Sequence, residues 1–178
     1  CYSRIGGFEI YLSRPELGSS LWETILEAGR SENIRPGSPN IIDRVEAGLL
    51  SFGNEMTVEN TPLECNMDKF LDINKEADYI GKKVLQRQIR YGIKRRIRGV
   101  IYNGPKLPTI SRPLQVFDID KRTIVGSLTS GAFSPHFKRN IGVGMIKYGY
   151  WDNNKKILVN IADQEFREGL IKDLPLIQ

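Results

Sequence analysis

The chain has 178 residues, of which 40% are hydrophobic, enough to bury a core as one domain or two small ones. Its 26 lysines and arginines exceed its 21 aspartates and glutamates, and the net charge of +5 favours anionic partners without implying nucleic acid. No apolar run approaches the roughly 20 residues of a membrane helix, so no membrane partner is expected. With two cysteines and one histidine, the sequence argues against a disulfide framework and against a metal site. The same residues favour a reducing, cytoplasmic location.

The first half of the sequence predicts a strand followed by two helices. The run Phe8–Leu12 alternates apolar and polar residues, as a half-buried strand does. Ser38 as an N-cap and Pro39 at the first helical position predict a helix from Asn40 to Ala47, which Gly48 would end. An earlier helix, up to Gly29, is predicted by apolar residues at helical spacing: Leu17, Leu21, Trp22, Ile25 and Leu26. This order is typical of an α+β layer, in which helices cover one face of a sheet. Because the chain starts at Cys1 and the strand follows at once, we expect residue 1 to be a cut within a larger protein.

The second half changes character. A helix is predicted from Tyr79 to Tyr91, ended by Gly92, with a buried stripe of Ile80, Val84, Leu85 and Ile89. Six short strands then predict a small antiparallel barrel or sandwich; they are 97–102, 114–117, 123–129, 141–146, 157–161 and 166–171. We place the domain boundary near Gly92-Ile93, which gives units of residues 1–93 and 94–178.

Two charged side chains are candidates for ligand binding. Glu9, on the predicted strand, offers two acceptor oxygens on one plane, which suits the adjacent N–H donors of a pterin's pyrimidine edge. The alternative is a solvated strand carboxylate. Arg44 shares its helix face with small residues that leave room for a planar or anionic partner. Its alternatives are a contact with Asp43 or Glu46, or a position in solvent.

Residues 82–98 contain eight lysines and arginines. This run supports a rival hypothesis, a basic nucleic-acid-binding module. Tyr91 is its only aromatic residue, so the sequence offers no stacking platform, and a solvated basic surface is the favoured interpretation. Near His136 the sequence has no nucleophile elbow, and its glycines form no phosphate loop.

Three stretches resemble the glycine-cleavage T-protein family. The first is Tyr2 to Ile10, which is similar to the family's Y-T-G-E-D-G-F-E-I segment. The second is Arg44 to Met56, similar to R-L-E-A-G-L-x-L-Y-G-N-D-(I/M), with Phe52 where the motif usually has tyrosine. The third is Gly126 to Gly131 with Ser134-Pro135, which resembles a segment of the family's C-terminal barrel.

This resemblance implies the C-terminal half of a three-domain clover-leaf that binds tetrahydrofolate. Residues 1–93 would belong to the folate-binding α+β domain and residues 94–178 to the C-terminal β-barrel. Carried over by position, Tyr2 would flank the pterin, Glu9 would hold its pyrimidine edge, and Arg44 would contact the folate. The family's catalytic aspartate lies in the N-terminal half, so no residue here is named as the catalyst. That half is an expected partner, and this chain alone is expected to have weak or no activity.

A finer resemblance is to the dimethylsulfoniopropionate demethylases. It lies in Gly6 to Ile10, Asn33 to Asn40, Leu49 to Asn60 and Pro62 to Cys65. It implies transfer of a methyl group from a sulfonium to tetrahydrofolate, a reaction in which the enzyme mainly positions an activated donor. The alternatives are an aminomethyltransferase, the basic module described above, and a regulatory homologue that binds folate without turnover.

Overall fold

The computed structural model describes residues 6–38 and 40–177. Within them lie three α-helices: α1 (Gly18–Ala28), α2 (Ile41–Glu46) and α3 (Lys82–Tyr91). Short 3-10 turns occupy Pro15–Leu17, Arg30–Glu32 and Asp68–Phe70. None of the helices in these ranges combines the length and the apolar character needed to cross a membrane.

The second half forms a closed antiparallel barrel of six strands in the order β1-β4-β3-β2-β5-β6. This confirms the small barrel and all six predicted strands, each extended or unchanged at its ends except that β3 begins at Ile124, one residue later than predicted. Because the barrel closes, it leaves no unpaired strand edge among its own strands. The strands are β1 (Arg95–Tyr102), β2 (Leu114–Phe117), β3 (Ile124–Ser134), β4 (Arg139–Lys147), β5 (Lys156–Ala162) and β6 (Glu165–Lys172).

The barrel has an interior cluster of fully buried side chains, including Val100, Tyr102 and Leu128. A second cluster lies outside the barrel wall, where Val45 of α2 packs on Ile97, Ile141 and Val143. The helix α2 therefore covers one outer face of the barrel. The strand alternation that predicted the strands also separates these two clusters, because successive side chains point to opposite sides of the wall.

The helix α2 is one residue shorter at each end than the predicted Asn40 to Ala47. The prediction of Ser38 as the N-cap is wrong, because Asn40 caps the helix by accepting a hydrogen bond from the Asp43 amide at 2.9 Å. Pro39, predicted at the first helical position, lies outside the described residues. Gly48 ends the helix as predicted: its φ of +67° lies in the left-handed region, and the Leu49 amide donates to the Arg44 carbonyl at 3.0 Å.

The predicted strand at Phe8–Leu12 is not formed. These residues are irregular and exposed, and the Phe8 side chain is 100% exposed. A strand requires a neighbour to pair its backbone groups, and no backbone hydrogen bond joins residues 8–12 to another described segment. Alternation alone therefore predicted an element whose partner the described residues do not supply.

The helices α1 and α3 are confirmed, although α3 begins at Lys82 and not at the predicted Tyr79, and most of their apolar faces are uncovered. Only Leu85 of the predicted stripe is buried, while Ile80, which precedes α3, is 104% exposed and Val84 and Ile89 are 54% and 56% exposed. The prediction of a buried stripe is therefore wrong at three of its four positions. In α1 no residue is buried, and Trp22 is 51% exposed. After α3, Gly92 ends the helix and β1 begins at Arg95, while the proposed division into two units near this point stays a prediction.

Candidate functional site

Arg44 lies at the centre of a buried polar network between α2 and the barrel. Its guanidinium forms a bidentate ion pair with Glu55, with N–O distances of 2.7 and 3.0 Å. It also donates to the Leu49 carbonyl at 2.9 Å and to Ser130 Oγ at 2.5 Å. Arg44 and Glu55 are each 4% exposed, so both alternatives considered from the sequence, a contact with a helix neighbour and a position in solvent, are wrong.

The partners of Arg44 are themselves held in place. Glu55 accepts a third hydrogen bond from the Ser51 backbone amide at 2.7 Å, and Ser130 Oγ accepts one from the Asn54 side-chain amide at 2.6 Å. A buried charge is stable only when its counter-charge and hydrogen-bond partners are complete. Arg44 thus joins the loop after α2 to the strand β3, where Ser130 lies 86 residues beyond Arg44 in sequence.

Ser130 reaches this network because of a β-bulge in β3. The pairing of β3 with β4 shifts between Leu128 and Ser130. Residues two apart on a regular strand share a face, and Leu128 belongs to the barrel interior. The extra residue, Thr129, therefore turns Ser130 outward toward α2. Thr129 Oγ1 itself is buried and has no hydrogen-bond partner among the described residues.

A second polar link joins the same two elements. Ser134, at the end of β3, donates a hydrogen bond to Glu46 Oε1 and accepts one from the Phe137 amide at 3.0 Å. Glu46 is 8% exposed and Ser134 is fully buried. The backbone carbonyl of Glu46 also accepts hydrogen bonds from the amides of Leu176 and Ile177. The helix α2 is therefore fixed to β3 at two points and to the C-terminal segment at a third.

Glu9 lies apart from this network, on the exposed segment that precedes α1. One of its oxygens accepts a hydrogen bond from the Tyr11 hydroxyl at 2.6 Å, and this bond raises the pKa of Tyr11. Within residues 6–38 and 40–177, no hydrogen bond or ion pair joins Glu9 to Arg44. Tyr2, the third residue that the family resemblance assigns to folate, lies outside the described residues. Phe52, at the motif's tyrosine position, is 69% exposed.

Four of the eight basic side chains in residues 82–98 form hydrogen bonds or ion pairs with other residues of the chain. Lys82 donates to the carbonyls that precede α3, at 2.7 to 3.2 Å, and Arg95 pairs with Glu64 at 3.0 Å. Arg96 pairs with Asp68 at 3.0 Å and Arg98 with Asp173 at 2.8 Å. The other half, Lys83, Arg87, Arg90 and Lys94, is exposed, as a solvated basic surface requires.

Part of the run borders a cleft of about 1020 Å³ between α3 and the barrel. Arg87 and Lys94 line this cleft together with Tyr91 and, from the end of β4, Tyr148. The structure thus brings a second tyrosine beside the one aromatic residue of the run, which the sequence alone did not indicate. This is the one observation that favours the nucleic-acid alternative.

The chain belongs to the glycine-cleavage T-protein family. Residues 1–75 match the family model for the GCVT N-terminal domain, and residues 95–174 match that for the glycine cleavage T-protein C-terminal barrel domain. The fold agrees, because the structure superposes on the crystal structure of glycine cleavage system aminomethyltransferase T from Bartonella henselae with a TM-score of 0.74. That comparison covers 91% of this chain and 44% of the other at 20% identity.

The chain is similar to curated relatives of two different names. The chain is 42% identical, over 84% of its length, to dimethylsulfoniopropionate demethylase DmdA of Ruegeria pomeroyi. It is 33% and 36% identical, each over 96% of its length, to aminomethyltransferases of Geobacillus and Caldanaerobacter subterraneus. The chain spans only 40% of the demethylase and 46% and 44% of these two aminomethyltransferases.

The network contains residues for which sequence reasoning proposed no role. Asn54, Glu55 and Ser130 all lie inside the stretches that resemble the family, and so do Glu46 and Ser134. The signal that could have found them was therefore present, as polar residues inside two separate matching stretches. What the sequence lacked was the contact between those stretches, which depends on the barrel's register and on the bulge at Thr129.

Proposed function

We propose that this chain is the C-terminal part of a tetrahydrofolate-dependent one-carbon transferase. The observation that carries the proposal is that two family stretches, one in the loop after α2 and one in β3, meet in one buried network around Arg44. A network of this kind fixes the backbone that follows α2, where Leu49, Ser51 and Asn54 all contribute contacts. Rigid support behind a binding surface lowers the ordering cost of binding.

In this proposal Glu9 and Arg44 act differently. Glu9 is exposed, and one of its oxygens has the Tyr11 hydroxyl as a partner, which leaves a carboxylate able to accept two N–H donors of a pterin. Four N–H groups of Arg44 already donate to Leu49, Glu55 and Ser130. Any folate contact of Arg44 would therefore use Nε–H, for which the described residues offer no acceptor, while the rest of the side chain supports the site. Tyr2 would flank the pterin.

The apolar faces of α1 and α3 support a further partner, the N-terminal half of the family fold. Longer relatives have more than twice the length that this chain spans, and an uncovered amphipathic helix is stable only when its face is buried. We therefore propose that this half covers α1, α3 and the Phe8–Leu12 segment, and that it supplies the catalytic residue. A cytoplasmic location stays a prediction.

For the donor, we propose dimethylsulfoniopropionate ahead of an aminomethyl group. The supporting observation is the higher identity to the demethylase, 42% against 33% and 36%. A sulfonium leaves as a neutral thioether, so transfer requires chiefly that its methyl group be aligned with the folate nitrogen. The same pocket with a different donor would serve aminomethyl transfer.

Calorimetry with tetrahydrofolate tests the cofactor. Glu9→Ala should abolish binding, whereas Glu16→Ala, which removes another exposed carboxylate of the same segment, should leave it within twofold. Binding should also change little between low and moderate salt. Equal effects of the two variants would contradict the role of Glu9. If no tetrahydrofolate binds but single-stranded DNA binds with steep salt dependence, and Arg87→Ala weakens it, the nucleic-acid alternative holds instead.

A chimera tests the donor. The chain is joined behind the part of the Ruegeria pomeroyi demethylase that precedes the matched region, and tetrahydrofolate methylation is followed with dimethylsulfoniopropionate. Turnover with this donor and none with aminomethyl donors is expected. The reverse preference would favour the aminomethyltransferase.

A further inference from the structure

The outer wall of the barrel carries a groove of about 500 Å³ on the side formed by β5, β6 and β1. The strand register defines its floor. Lys156 lies opposite Leu170, and Leu170 lies opposite Ile101, so these three side chains share the outer face. In the next row Leu158 lies opposite Glu168. Three of these five outward positions are apolar, although outward positions of a barrel in water are usually polar.

Positive charge surrounds this apolar floor. Four cationic side chains line the groove against a single carboxylate, that of Glu168; they are Lys121, Arg139, Lys156 and Lys172. Within residues 6–38 and 40–177 none of the four forms an ion pair. Their contacts are with neutral groups: Arg139 donates to the Asn103 side chain, Lys172 donates to Asn154 Oδ1 at 2.5 Å, and Lys121 lies 5.9 Å from the centre of the Phe166 ring.

This groove differs from the uncovered faces of α1 and α3. Those helices expose apolar stripes because no described element packs on them. The groove instead belongs to a closed barrel whose interior is filled and whose strands are all paired. Its apolar floor is therefore built by paired strands of one sheet and not by a single helix face.

We propose that this groove binds a small molecule with an apolar body and at least two negative charges. The volume lies in the range of small-molecule sites, and an apolar floor with a few charged groups at the edge is their usual construction. The apolar body would lie on Ile101, Leu158 and Leu170, and the anionic groups would pair with Lys156, Lys172 and Arg139. The groove contains none of the residues of the Arg44 network and requires no folate, so the proposal is independent of the proposed transferase activity.

Biphenyl dicarboxylate serves as the probe, with neutral biphenyl dimethanol and inorganic phosphate as the two comparison compounds. Calorimetry on the chain should detect the dicarboxylate and give at least tenfold weaker binding for either comparison compound. Amide resonances of the isotope-labelled chain should shift in β5 and β6 and not in α1 or α3. Equal binding of the neutral compound, or shifts confined to the helices, would overturn the proposal. Equal binding of phosphate would show an anion site without the apolar component and would overturn it as well.

Charge reversal locates the site. The double variant Lys156→Glu/Lys172→Glu should weaken binding of the dicarboxylate by about tenfold or more, because two attractive contacts become repulsive. The matched control is Lys75→Glu/Lys83→Glu, which makes the same charge change at two exposed lysines outside the barrel. It should change the affinity by less than about twofold. Equal weakening by both double variants would show that the loss of affinity comes from the change in net charge alone. That result would overturn the proposal.

Discussion

The barrel and the segment that precedes α2 have similar apolar residues but bury them differently. In the barrel, Val100, Val116, Val125 and Leu128 are 0% exposed. Between residues 6 and 38 no residue is buried, and Phe8 and Trp22 are 100% and 51% exposed. Composition is therefore a poor guide to burial, which depends on whether a partner surface is present. The barrel supplies its own partner by closing, whereas α1 and α3 each need another element.

The helix α2 is the intermediate case, because it is short and half of its residues are buried. It has six residues, too few to be stable alone, and three of them are buried against the barrel. Its stability therefore depends on Val45 in the outer cluster and on the two polar links to β3. If the comparison is right, substitutions in this junction and in the barrel will lower the free energy of unfolding, and matched substitutions in the uncovered segments will not.

The largest effect is expected at Glu55. In Glu55→Ala the buried guanidinium of Arg44 loses its counter-charge, which costs about 3–5 kcal/mol of the free energy of unfolding. Urea denaturation measures this change. The control is Glu16→Ala, which breaks the exposed pair with Arg14 and should cost less than about 1 kcal/mol. Similar losses in the two variants would mean that the Arg44 network contributes no more than a surface pair.

A second expectation concerns the barrel wall at Gly144. A Cβ atom at this position would lie 1.9 Å from the Ser127 carbonyl oxygen and 2.7 Å from Leu128 Cα. Both are backbone atoms that cannot move without breaking the β3–β4 pairing, so Gly144→Ala should cost about 3 kcal/mol. Gly18 of α1 has open space around its Cβ direction and a helical φ of −58°. Gly18→Ala should therefore cause no loss of stability, and a loss equal to that of Gly144→Ala would contradict the packing described here.

A third expectation is a pH dependence specific to the barrel interior. Burial raises the pKa of Tyr102 from 10.0 to about 12, because the charged phenolate is poorly solvated there. The folded state thus holds this proton more tightly than the unfolded state. The stabilisation that this tighter proton binding gives the folded state is fully present below pH 10. It is lost as the pH rises toward 12.

Comparison with Tyr102→Phe isolates this contribution. Between pH 10 and 12 the free energy of unfolding of the wild type should fall by about 2–3 kcal/mol more than that of the variant. Tyr148→Phe, which removes the hydroxyl of an exposed tyrosine, is the control and should follow the wild type. Parallel curves for the wild type and Tyr102→Phe would show that the Tyr102 hydroxyl is solvated in the folded state.

The two regions also explain how far the sequence could predict this structure. The six strands were predictable because alternation is local and each strand finds its neighbours in the same barrel. The predictions of a strand at Phe8–Leu12 and of a buried stripe in α3 used the same kind of pattern and are wrong. An apolar pattern shows which face of an element is apolar, but it does not show whether another element covers that face. The Arg44–Ser130 contact was beyond such patterns, since it depends on one bulged residue in β3.

The smallest effect is expected on the uncovered face of α3, where it most directly tests the comparison. Ile89 is 56% exposed and Leu85 is 6% exposed, although they lie one helical turn apart. Leu85→Ser should therefore cost about 2 kcal/mol or more, while Ile89→Ser should change the free energy of unfolding by less than about 0.5 kcal/mol. If Ile89→Ser is as costly as Leu85→Ser, α3 has a partner surface within this chain and the contrast with the barrel fails. If it is neutral here but costly in the chimera with the N-terminal part of the demethylase, then that part covers this face, as the proposed function requires.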